Sequence, residues 1–210
     1  MEDTISPIER RRRAALRFWH AAENARFSSR VLWSTSSEAA NAIRSEFFCG
    51  DANGEALVEA YRREASVALE LVIKAVIAQR VENGTADTHV GPVPMTHNLP
   101  TLWENAKLPK LPKDDRGRLL KAKYILLWTG RYPAPKTDED FERMISELRG
   151  YKVITGQIGR FTTTKDLSFS WDDFDRIHQV AADIFRAIIP YIDKDGWLII
   201  PEGPRKFTRG

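Results

Sequence analysis

Two ionisable residues, Glu70 and Lys74, interrupt the otherwise apolar run Val67-Ala-Leu-Glu-Leu-Val-Ile-Lys-Ala-Val-Ile-Ala78. Four residues apart on a helix, they lie one turn apart on the same face. They form either an exposed ion pair or a polar pair lining a cleft. In the second case Lys74, with Arg131 nearby, favours a phosphate. His97 either sits at a helix start beside a capping Asn98 or donates to a ligand and titrates near neutrality. Arg131-Tyr132-Pro133 follows Gly130. It reads either as a helix exit, with Tyr132 packing back, or as a guanidinium free for phosphate. His178 falls on an apolar stripe and reads as a satisfied core or interface histidine, and His89 in a loop carries no signal. No phosphate-cradling glycine loop, zinc-ligand spacing or serine-nucleophile motif is present, so neither a metal nor a cofactor is expected.

Helices must position these residues. The stretch from Tyr61 to Val81 is apolar nearly all round, which marks a helix enclosed by others. It is expected to begin near Glu55 and close at Asn83-Gly84. Ser6-Pro7-Ile8-Glu9 opens a first helix running to about Trp33. Its face Ala15, Trp19, Ala22, Ser29, Trp33 should pack, and the opposite face, Arg10, Arg13, Arg17, His20, Asn24, should be solvated and basic. Thr35-x-x-Glu38 opens a shorter helix through Phe47-Phe48.

Residues 84 to 96 read as a loop, and Asn98 caps a short helix through Trp103. The Leu-Pro-Lys-Leu-Pro-Lys stretch at 108–113 is extended. Asp114 then caps a helix stopping at Gly130, whose basic residues Arg116, Arg118, Lys121 and Lys123 split between faces and make no clean nucleic-acid stripe. Capped helices follow from Thr137-x-x-Asp140 to Gly150 and from Ser170-x-x-Asp173 to Pro190. Between them, 151–154 and 160–164 suggest a hairpin, to which 197–200 adds a strand. The fold class is therefore mainly α, an up-and-down helical bundle with a small β-hairpin near 151–164 and a C-terminal strand at 197–200, read as a single domain over 1–210.

The 210 residues include 32 Lys plus Arg against 29 Asp plus Glu, a formal net charge of +3. That balance permits nucleic-acid contact without demanding it. A single cysteine, Cys49, excludes an intramolecular disulfide and fits a reducing compartment. With neither an export signal nor the roughly 20 apolar residues that span a bilayer, the expected location is the cytoplasm, with no membrane partner.

From about Phe18 to Leu148 the chain resembles the HEPN superfamily of prokaryotic helical domains. The carrying features occur in order: an N-terminal helix rich in Trp, Ala and Arg; Ala68-Leu-Glu70-Leu-Val-Ile-Lys74-Ala; Thr96-His97-Asn98-Leu99; and Gly130-Arg131-Tyr132-Pro133. Asn98 stands where Asp is usual, the insertion around Thr35 to Asn53 is long, and nothing after Gly150 matches. The resemblance implies a helical bundle that forms a homodimer. It also implies either an RNase of a toxin-antitoxin or defence system, or a non-catalytic module that binds nucleotide or RNA or partners a nucleotidyltransferase. It places Glu70, Lys74, His97, Arg131 and Tyr132 at the ligand site.

The family's RNases carry Arg, four to six residues, then His. No histidine follows Arg131 within forty residues, and the only matching spacing is Arg13-x6-His20 on the first helix. Arg plus His would suffice for metal-independent RNA cleavage, one moving the 2′-hydroxyl proton and the other stabilising the phosphorane. The missing motif turns the reading towards a non-catalytic nucleotide- or RNA-associated module. An RNase toxin and a structural or neutralising partner subunit are the alternatives.

Overall fold

The computed structural model describes residues 14–35, 53–84, 93–129, 135–159, 161–194, 198–201 and 206–207. Its helices are α1 (Ala15–Ser34), α2 (Asn53–Glu82), α3 (Leu99–Asn105), α4 (Lys113–Tyr124), α5 (Asp138–Arg149) and α6 (Trp171–Ile188). A π-helical turn, Ile125–Thr129, continues α4. The strands are β1 (Val153–Ile158), β2 (Phe161–Lys165), β3 (Tyr191–Ile192), β4 (Leu198–Ile199) and β5 (Lys206–Phe207). The helix expected over 38–48 and the Ser6-Pro7 start lie outside the described residues.

The apolar helix is the hub its composition requires. α2 packs against α1, α3, α4 with its π turn, and α6, and every residue from Val72 to Gln79 is buried. α1 runs antiparallel to α2, since the Ala15 amide donates to Glu82 Oε1 at 2.8 Å while Trp33 lies against Tyr61 at the other end. The buried face of α1 is Ala15, Ala22, Ala25 and Ser29. Such small side chains let two helix axes approach closely. α6 runs parallel to α2: Phe169, just before it, meets Tyr61, and Asn83 Nδ2 donates to the Ile188 carbonyl at its far end. α1 and α6 close the layer through Trp19 stacked on Phe185.

Local capping signals set the starts of α5 and α6. Thr137 accepts from the Asp140 amide at the start of α5, and Ser170 with Asp173 forms the complete reciprocal box opening α6. Two other expected caps are corrected. Asn98 precedes α3 without a side-chain cap bond, its own amide donating to Thr96 Oγ1 instead. α4 opens on Pro112, with Asp114 inside its first turn as a charge complement to the helix dipole. α3 ends on a left-handed Lys107; Lys107 N–H reaches the Glu104 carbonyl and Leu108 N–H the Trp103 carbonyl, the six-to-one closure of a Schellman motif.

The hairpin β1–β2 is antiparallel with a bulge between Ile154 and Gly156. The C-terminal strand does not extend it, contrary to the expectation above. β4 pairs instead with β3 and β5 in a second small sheet. β3 follows α6 at once, so the shorter connection determines the pairing. No helix among the described residues is long and apolar enough to cross a membrane.

Candidate functional site

Glu70 and Lys74 are a buried pair, so the surface-bridge alternative is overturned: the residues are 8% and 6% exposed. Lys74 Nζ donates to Glu70 Oε1 at 2.6 Å. The second carboxylate oxygen, Oε2, lies 2.8 Å from His97 Nδ1. An ionised carboxylate only accepts, so Nδ1 carries the proton in this bond and Nε2 is left as the remaining functional atom of the ring. The His97 side chain is 41% exposed, which makes it the open end of an otherwise enclosed triad.

The positioning follows from the elements. α2 supplies Glu70 and Lys74 from one face of its most buried stretch, where neighbours on every side lock their rotamers. His97 comes from the turn entering α3, which is anchored by Leu99 and Leu102, both fully buried, and by the Leu102 amide donating to the Asn98 carbonyl. Taking two charges out of water is costly, and only good geometry and further hydrogen bonds offset it. Here each carboxylate oxygen has its own donor. The charges of Glu70 and Lys74 cancel, so the site's net charge is that of His97.

Lys74 Nζ is thus bonded to Glu70 inside the bundle. Arg131 and Tyr132, expected beside it, and Arg13, expected as a partner of His20, lie outside the described residues. His20 is on the exposed face of α1. His178 is fully buried in α6 as expected, but among the described residues neither ring nitrogen has a hydrogen-bond partner. Glu23 Oε1 stands 4.0 Å from its Nε2. Burial, then the positive charges of Arg26 and Arg186, push the imidazole down to about 3.

A second charged cluster, not foreseen as such, clamps α4 to α6. Arg176 grips Asp115 with Nε at 3.0 Å and Nη2 at 2.6 Å. Arg118 reaches Asp115 at 2.9 Å and Asp173 at 3.1 Å. Burial pushes the Asp173 carboxyl up, but bonds from Ser168, Ser170 and Arg176 prevail and hold it at about 2. With two arginines facing two aspartates, the charges cancel and the cluster reads as structural.

The basic run of α4 is spent in the same way. Lys121 Nζ donates to the Leu167 carbonyl and Lys123 to Glu147, leaving Arg116 as the member of that run whose side chain is unpaired among the described residues. Those residues also contain no group of three or more His, Cys, Asp or Glu placed to hold a metal ion. No family model, curated protein or solved structure matches the chain.

Proposed function

We propose that the protein is a non-catalytic helical module that binds a nucleotide or RNA and works as a homodimer, in the manner its HEPN-like motifs imply. The observation that carries the reading is the Glu70–Lys74–His97 triad, a charged group built into the most apolar helix of the chain and opened to solvent through one imidazole. Apolar residues at positions 70 and 74 would pack at least as well, so a polar triad there is better explained by a ligand than by stability. His97 Nε2 is the atom offered to the ligand: it donates to a phosphate oxygen as imidazolium and accepts from a base-edge N–H when neutral. Titrating ATP and a short single-stranded RNA calorimetrically into the protein should give saturable heats that disappear in His97→Ala. Absence of binding at millimolar ligand would sink the proposal.

One observation favours an RNase as the second reading. A carboxylate bonded to Nδ1 orients an imidazole for proton transfer at Nε2, the arrangement a general base needs. Incubation with total RNA separates the two: cleavage lost in His97→Ala supports the enzyme, and intact RNA supports the binding module. A partner subunit that neutralises a toxin or serves a nucleotidyltransferase would bind neither probe.

A further inference from the structure

A pocket of about 470 Å³ lies between α3, α4 and the segment joining them, within the range of about 300–1,000 Å³ usual for small-molecule sites. Its two helical walls use the same spacing: Pro100, Trp103 and Glu104 on α3, and Arg116, Leu119 and Leu120 on α4. Residues at i, i+3 and i+4 share one helix face, so two faces look at each other across the gap. The connection keeps them apart. Pro109 and Pro112 hold it extended, and Trp103 Nε1 donates to the Pro109 carbonyl at 2.8 Å, fixing the indole as a wall with its N–H already used.

The interior is apolar, formed by Trp103, Leu108, Leu111, Leu119 and Leu120, with Tyr151 at the side. Among the described lining residues, charge enters through Lys110, Arg116 and Glu104, all exposed. Among the described residues none of these three side chains has an ion-pair or hydrogen-bond partner. This contrasts with the neighbouring cations Arg118, Lys121 and Lys123, each of which is tied down. Two free cations against one carboxylate leave the rim with a net single positive charge.

We propose that this pocket is a binding site for an amphipathic organic monoanion. An aromatic or branched apolar body would lie against Trp103 and the leucines, and a single carboxylate would be held by Arg116 and Lys110. The site is separate from the Glu70–Lys74–His97 triad and does not depend on the function proposed there.

Indole-3-propionate and tryptamine test the assignment, because they share a ring and carry opposite head charges. Calorimetric titration of the full chain should show one molecule of indole-3-propionate bound, with tryptamine at least about ten-fold weaker. R116Q and K110Q should each weaken the anion by about ten-fold, the scale of one charge-assisted hydrogen bond. Both side chains are exposed and unpartnered, so melting temperatures should not change. His97→Ala should bind the anion as the wild type does, which separates this site from the triad. Equal affinity for the two head groups, full affinity in R116Q and K110Q, or no binding at about 5 mM, where fragment-sized ligands still register, would each overturn the proposal.

Discussion

Glu70 holds two partners inside the core, and the energetic consequence is asymmetric. Lys74→Ala leaves a carboxylate with half its compensation, and Glu70→Ala strands an ammonium, so each should lower stability by about 3 kcal/mol or more. Glu70→Leu combined with Lys74→Met removes both charges and should come within about 1 kcal/mol of the wild type. Urea denaturation at neutral pH measures all three, and equal losses in single and double variants would contradict the pairing. His178 acts through pH. Its folded value lies below the ordinary 6.5, so the unfolded chain takes up the proton first as pH falls. The stability from keeping it neutral is complete above 6.5 and lost on the way down towards 3, about 2 kcal/mol of it between pH 7 and pH 5. The positive charges of Arg26 and Arg186 act in the same direction as burial, and Glu23 Oε1 faces the ring at 4.0 Å. His178→Leu should flatten that part of the profile. The residues of the triad were legible because two charges in an apolar run are conspicuous. The bond from Glu70 to His97 was not, because it joins residues 27 apart in the chain and no local pattern encodes a contact across a loop.

At the scale of elements, Gly117 shows how packing overrides propensity. It sits inside α4, where glycine costs about 1 kcal/mol relative to alanine. A Cβ there would stand 2.6 Å from Leu167 Cδ1 and 2.7 Å from Tyr151 Cγ and Cδ1, closer than carbon atoms approach. The Tyr151 ring atoms are not the far end of a flexible chain, so Gly117→Ala should destabilise the protein by about 1–3 kcal/mol despite the better helix former. Thermal melting checks this, and a raised melting temperature would mean that Tyr151 yields. The same element marks where sequence reading stops. The caps at Thr137 and Ser170 were readable because they are made within three residues. The change from α-helix to a π turn at Ile125 leaves no comparable trace in Tyr124-Ile-Leu-Leu-Trp128. Likewise 197–200 showed β-forming residues without showing which edge they would join, since alternation fixes a strand's faces and says nothing of its neighbour.

For the molecule as a whole, the outward side of α1 sets the next question. Leu16, His20, Phe27 and Val31 fall within about 60° of one another at helical spacing. The face expected to be basic and solvated also carries apolar residues, with Phe27 71% exposed. Large apolar residues in a row on the surface of a bundle mark an interaction site. A two-fold pairing of identical α1 faces would cover them with one self-complementary contact, which is the homodimer proposed above. If α1 forms that contact, Phe27→Asp with Val31→Asp should turn a dimer into a monomer in sedimentation velocity. Folding should be unharmed, because neither side chain belongs to the core. The wild type should remain dimeric well below about 100 µM, as expected for a specific contact. A monomeric wild type, or a variant that still dimerises, would remove α1 from the interface. In the second case the exposed apolar side of α5, Phe141 and Ile145, is the next face to test, because α5 is amphipathic and yet buries no residue of its own.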